Sequence, residues 1–118
     1  MILTMPSEHY REGIDLFNDH SFFEAHEVLE DAWRIAPEPE RRFLQGLIQV
    51  AVALHHHSRG NAVGCRSLLE RARRNLSLYP DEHGGLDLAA LLRAVDQWRD
   101  ALDHGRSAPP FPRLQARA

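Results

Sequence analysis

Lysine is missing from this chain: all 14 of its basic side chains are arginine, in 118 residues. That removes Schiff-base chemistry and the P-loop lysine together. Cysteine is nearly absent too. Cys65 stands alone, so neither an internal disulfide nor a cysteine-rich zinc site can form, and a reducing compartment is expected. Long apolar runs are also lacking. The longest, residues 47–54, is eight residues interrupted by Gln49, against the ~20 needed to cross a bilayer. The opening residues Met1-Ile2-Leu3-Thr4-Met5-Pro6 have no basic region, long apolar core or small-residue cleavage site, so no export signal is expected. Charge of one sign is scarce as well. With 17 acidic residues the net charge is −3 and the pI about 6.2, which argues against a general nucleic-acid binder. The expectation is a soluble cytoplasmic protein with no membrane or nucleic-acid partner.

What is present is helical periodicity, and no stretch alternates with period two. Ser7 suits an N-cap for a first helix to about Asn18, with Tyr10, Ile14 and Phe17 as its apolar stripe. A second helix spans about 22–35 and stops where Ala36 precedes Pro37. Pro39 and Glu40 open a third, running to about Ser58. Gly60 is a C-cap and Asn61 caps a fourth helix to about Leu78. Residues 79–85 read as a loop, and Asp87 caps a fifth helix ending near His104-Gly105.

The predicted fold is therefore all-α: about five helices in antiparallel hairpins, forming a single helical domain over residues 1–106. Residues 107–118 are expected to be an extended, Pro-rich tail that packs on its own chain or on a second copy in preference to a partner's groove. Gly13, Ala25, Leu29, Ala32 and Pro37 sit at the small and apolar spacings of a tetratricopeptide unit, although His9 and Glu12 miss its other positions. Gly64, Leu68, Leu69 and Ala72 resemble a second half-unit. A tetratricopeptide-like hairpin stack is expected, without a full repeat array.

Position by position, most of the eight histidines fall at helix margins or in loops. His26 is the exception. At about 100° per residue, His26, Glu30 and Trp33 share one stripe of the second helix, flanked by Phe22 and Leu29, while Glu24, Glu27 and Asp31 face away. Burying such polar groups is costly unless each finds a partner. On the third helix Gln45, Gln49, Val52 and His56 form one stripe beside the apolar Leu44, Ile48 and Ala51. In an antiparallel hairpin Glu30 and Trp33 should lie opposite Gln45, with His26 opposite Gln49 or beyond.

These residues carry a family resemblance. The run Phe23-Glu24-Ala25-His26-Glu27-Val28-Leu29-Glu30-Asp31-Ala32-Trp33-Arg34 resembles the His-x3-Glu-x2-Trp-Arg signature of the bacterial and archaeal domain-of-unknown-function family 309. Phe43-Leu44-Gln45-Gly46-Leu47-Ile48-Gln49-Val50-Ala51, then His55-His56 and Gly60-Asn61, resembles its second block. The resemblance implies a small helical domain. It marks His26, Glu30, Trp33, Arg34, Gln45, Gly46, Gln49 and Asn61 as motif positions and supplies no substrate.

Two functions follow as expectations. The first is a binding or scaffolding module for a protein or small molecule, in which His26, Glu30 and the glutamines form a structural polar cluster. Its ligand-facing candidates are Trp33, Arg34, Gln45, Gln49 and Asn61. Arg34 either complements the helix dipole or anchors a carboxylate or phosphate. The alternative is a small metal-dependent hydrolase or metal-binding protein using Zn or Mn. There His26 and Glu30 would be ligands with His56 or His55 as a third, and Glu27 a candidate base beside His26 and Glu30 as catalytic groups. Arg66, Arg71, Arg73 and Arg74 read as a solvated basic face, Cys65 as a small interface residue, and Trp98 as core. The surplus of apolar helix faces, the fifth helix included, makes a homodimer an expected partner state.

Overall fold

Among the described residues, three helices open on a side chain that satisfies a terminal backbone N–H. A computed structural model describes residues 7–117. Ser7 Oγ accepts from Tyr10 N–H at 3.1 Å and opens α1 (Glu8–Asn18). Asn61 Oδ1 does the same for Gly64 in α4 (Ala62–Leu76), as does Asp87 Oδ1 for Ala90 in α5 (Leu88–Asp103). Between them lie α2 (Phe22–Ile35) and α3 (Glu38–Ser58). Pro37 and Pro39 bracket the start of α3, where a missing N–H costs nothing. The five predicted helices are all present, and α4 stops two residues short of the predicted Leu78.

Both α1 and α3 end in Schellman closures, in which one left-handed residue lets the chain reverse. His20 takes that position after α1 at φ 65°, with Ser21 N–H bonded to Leu16 O at 2.9 Å. Gly60 takes it after α3, with Asn61 N–H bonded to His56 O at 2.8 Å. These two reversals stack α1 on α2 and α3 on α4, while α2 also packs on α3 and α5 on α4.

The core runs through the stack: Phe17, Leu29, Phe43, Leu47, Leu69 and Trp98 are all essentially inaccessible. Burying each such side chain contributes about 1.5–3 kcal/mol. Two glycines let the helices approach closely. A Cβ on Gly13 would lie 2.6 Å from Leu29, and one on Gly46 would lie 2.6 Å from Leu76.

Residues 79–87 hold more order than a loop. Glu82–His83 (β1) pairs antiparallel with Leu86–Asp87 (β2), in the register Glu82↔Asp87 and His83↔Leu86. Gly84 and Gly85, at φ 59° and 77°, make the two-residue turn. The arginines of α4 differ from the expected solvated face. Arg66 pairs with Asp103 at 2.6 Å and Arg73 with Asp96 at 2.9 Å, tying α4 to α5. Only Arg71 and Arg74 of the four are exposed. Periodicity located the face and could not show that the acids of α5 would meet it.

After α5 the chain is extended and packs on its own domain, as one of the two expected arrangements had it. Trp98 Nε1–H donates to Pro110 O at 3.0 Å, and Leu114 is buried. Among the described residues no helix is long and apolar enough to cross a membrane.

Candidate functional site

The hairpin of α2 and α3 leaves an open cleft of about 310 Å³ between its facing stripes, lined by Glu30, Trp33, Arg34, Gln45, Ile48 and Gln49. Four of these six, Glu30, Trp33, Gln45 and Gln49, are the polar and aromatic positions singled out from helical phase, and Arg34 is a motif position. The predicted level also matches, since Glu30 and Trp33 share the cleft with Gln45. Ala25, Leu29 and Ala32 of α2 are buried beside the stripe and hold its phase. That orientation leaves Glu30 and Trp33 only half-buried at the cleft wall.

The cleft's polar groups are unevenly committed. Gln49 Oε1 accepts from Asn75 Nδ2 of α4 at 2.9 Å, so its amide hydrogens remain as donors. Gln45 is exposed. Glu30 has no hydrogen-bond or ion-pair partner among the described residues. Arg34 pairs with Asp31 at 2.5 Å, both well exposed, so the pair adds little stability. Arg41 covers Trp33, its guanidinium carbon 4.2 Å from the ring centroid, while Arg41 Nε–H donates to Trp33 O at 3.3 Å. One side of the indole is therefore fixed by a cation.

The other candidates lie elsewhere. His26 Nδ1–H donates to Phe23 O at 2.5 Å, within its own helix, and its ring abuts Phe23 at 4.9 Å. No hydrogen bond joins His26 to Glu30 or to either glutamine among the described residues, so the structural cluster expected of those groups is absent. The reason is geometric: a half-exposed histidine satisfies itself on the i−3 carbonyl of its own helix. Glu27 is exposed. Asn61, as the cap of α4, has its Oδ1 committed, so its Nδ2 donates to His56 Nδ1 at 3.4 Å. His55 also lies against Phe23, at 5.1 Å. Among the described residues no three His, Cys, Asp or Glu side chains are grouped to hold a metal ion. His26, Glu30 and His56 are accordingly not gathered into one coordination shell.

A second polar cluster went unread in the sequence. Glu40, the buried charged residue of α3, accepts from His83 Nε2–H of β1 at 2.6 Å. Tyr10 O–H donates to Gly84 O, and Tyr79 O–H donates to Pro39 O at 2.7 Å while accepting from Phe43 N–H at 3.1 Å. Burial, and then the Glu40 charge, raise the Tyr10 phenol well above its usual value. Burial alone pushes the Cys65 thiol up to about 11, which fits an inert interface position. The Glu40–His83 pair spans 43 residues of sequence, so no local spacing announces it.

Comparison with known proteins places this geometry. The family model "Domain of unknown function (DUF309)" matches residues 10–68, half of the chain. The chain belongs to this family. The DUF309 match begins in α1 and ends within α4, so it includes the α2–α3 hairpin and every residue lining the cleft. Among similar proteins is the uncharacterized protein YpuF of Bacillus subtilis (strain 168). It is 37% identical over 94 residues, covering 79% of this chain and 46% of that protein. An uncharacterized protein of Aquifex aeolicus (strain VF5) is 28% identical over 96 residues, covering 80% of this chain and 29% of its own length. The chain thus spans less than half the length of these relatives.

Proposed function

We propose that this DUF309 chain is a binding module whose working surface is the α2–α3 cleft, with Glu30, Trp33, Gln45 and Gln49 as the contacting groups and Arg34 at the rim. The observation that carries the reading is the convergence of those five residues on one cleft. Its volume, about 310 Å³, lies at the small end of the range for ligand pockets.

The chemistry on offer defines the ligand. Glu30 supplies an acceptor for an ammonium or N–H group, and the free amide hydrogens of Gln49 supply donors for a carbonyl or carboxylate. Trp33 and Ile48 add apolar surface to the same cleft. A ligand of amino-acid or dipeptide size, carrying a donor and an acceptor a few bonds apart, complements this set. A metal-dependent hydrolase on His26, Glu30 and His56 has no comparable observation in its support.

The test is an amide NMR titration with free amino acids and dipeptides at millimolar concentration. Shifts centred on residues 30–34 and 45–49, lost in Trp33→Ala and Glu30→Gln, are expected. Shifts that avoid those residues, or that survive both substitutions, would overturn the proposal.

A further inference from the structure

The two glutamines that line the cleft differ in what holds them. Gln45 is exposed, and no hydrogen bond fixes its amide among the described residues. Gln49 is half-buried, and its Oε1 accepts from Asn75 Nδ2 of α4 at 2.9 Å. A primary amide carries an acceptor at one end and two donors at the other. With its oxygen engaged, Gln49 has its donors left for the cleft. Gln45 can turn either end to a ligand; Gln49 cannot.

Asn75 reaches Gln49 because α3 and α4 approach closely. Gly46 lacks the Cβ that would stand 2.6 Å from Leu76 and 3.5 Å from the Ala72 carbonyl oxygen. Gln49 lies about one turn along α3 from that glycine, and Asn75 is next to Leu76. The glycine contact therefore sets the spacing at which the two amides meet. Asn75 stands outside the cleft lining, and it lies beyond residues 10–68 of the family match.

The reverse pairing, with Gln49 Nε2–H donating to Asn75 Oδ1, would turn Gln49 Oε1 into the cleft. That oxygen would join the half-buried Glu30 carboxylate, which has no bonded partner among the described residues. Two acceptors without donors in one cleft repel each other. The orientation in the structure instead sets donors on Gln49 beside an acceptor on Glu30, with the Arg34 guanidinium as a further donor at the rim.

We propose, on the reading that the cleft binds ligand, that Asn75 is a positioning residue that sets the cleft's polarity. By holding Gln49 Oε1 it makes Gln49 a donor site, selective for a ligand carboxylate over an amine. The ligand class narrows to zwitterions, with the amine at Glu30 and the carboxylate at Gln49, and diamines of the same shape are disfavoured. Asn75→Asp reverses the arrangement. A carboxylate only accepts, so Gln49 turns its Nε2 to residue 75 and its Oε1 to the ligand.

The experiment titrates two probes into the parent chain, Asn75→Ala and Asn75→Asp, following amide shifts at residues 30–34 and 45–49. The probes are leucine and the diamine in which an aminomethyl group replaces its carboxylate. The parent is expected to favour leucine. Asn75→Ala, which lets Gln49 turn, should narrow that preference about threefold, and Asn75→Asp should move it roughly tenfold toward the diamine. The charge of the new carboxylate is controlled by repeating Asn75→Asp in a Gln49→Leu background, where the shift should largely vanish. A shift of equal size with and without Gln49 overturns the proposal, as does a preference unchanged in both Asn75 variants. Should Asn75→Asp fail to fold, Asn75→Ala decides: a narrowed preference supports the proposal and an unchanged one overturns it. A parent chain with no cleft shifts from either probe overturns both this role and the cleft's binding of such ligands. A parent that binds leucine with a preference indifferent to residue 75 overturns the role of Asn75 alone.

Discussion

The molecule carries two glutamates on inward-leaning helix faces, and they have opposite surroundings. Glu40 is buried at the start of α3 and bonded to His83 at 2.6 Å, whose ring packs on Phe43 and Tyr79, with Tyr10 within reach of the Glu40 charge. Glu30, on α2, opens to a cleft with Trp33 and two glutamines and has no bonded partner among the described residues. A buried charge is tolerated only when partnered, so the first arrangement serves to join α3 to the β1–β2 turn. A half-exposed carboxylate remains hydrated and keeps its lone pairs for another molecule. The difference separates a polar group that holds the fold from one that is available to a ligand.

The sharpest way to break this comparison is to remove an aromatic from each setting, Phe43 against His83 and Trp33 in the cleft. Phe43 is fully buried, so Phe43→Ala should lose about 3–5 kcal/mol in urea unfolding. Trp33 is half-exposed, and Trp33→Ala should lose under about 1.5 kcal/mol. Equal losses would make the cleft a part of the core.

Alkali provides the next test. The Tyr10 phenol is raised above its ordinary value of 10.0 in the folded state, so the folded protein holds that proton more tightly than the unfolded chain. The resulting stability is complete below about pH 10 and declines as the pH rises further. Cys65 acts in the same direction from its ordinary value of 9.0, so the comparison belongs in a Cys65→Ala background. There Tyr10→Phe should cost about 1 kcal/mol near neutrality through the lost Gly84 bond, and should flatten the decline above pH 10. An unchanged slope in the variant would show that Tyr10 is not the group responsible.

Smaller effects belong to the cleft. Asn75→Ala should cost about 0.5–1.5 kcal/mol and free Gln49, seen as a changed side-chain amide resonance. Arg34→Ala should leave stability within about 0.5 kcal/mol, because its pair with Asp31 is exposed. A larger loss on thermal denaturation would move Arg34 into the structural class.

Much of this was legible in the chain because it is local. Ser7, Asn61 and Asp87 cap the helices their residue types predicted, and Pro37 and Gly60 end helices for backbone reasons. Helical phase brought Glu30 and Trp33 to the same cleft as Gln45 and Gln49, since short connections fix the hairpin's register. Long-range pairing was not legible. Asn75 reaches Gln49 from another helix, Glu40 meets His83 across the β1–β2 turn, and the acids of α5 meet the arginines of α4. His26 misled for a related reason: periodicity reports direction but not whether a side chain can satisfy itself on its own helix. Arg41 over Trp33 left a fainter trace, eight residues along and across the α2–α3 connection.

The claim that one glutamate holds the fold while the other is available is tested most directly by urea unfolding of Glu40→Ala beside Glu30→Ala at pH 7. The account predicts a loss of about 3 kcal/mol for Glu40→Ala, which strands His83, and a change within about 0.5 kcal/mol for Glu30→Ala. Comparable losses in the two variants would contradict it.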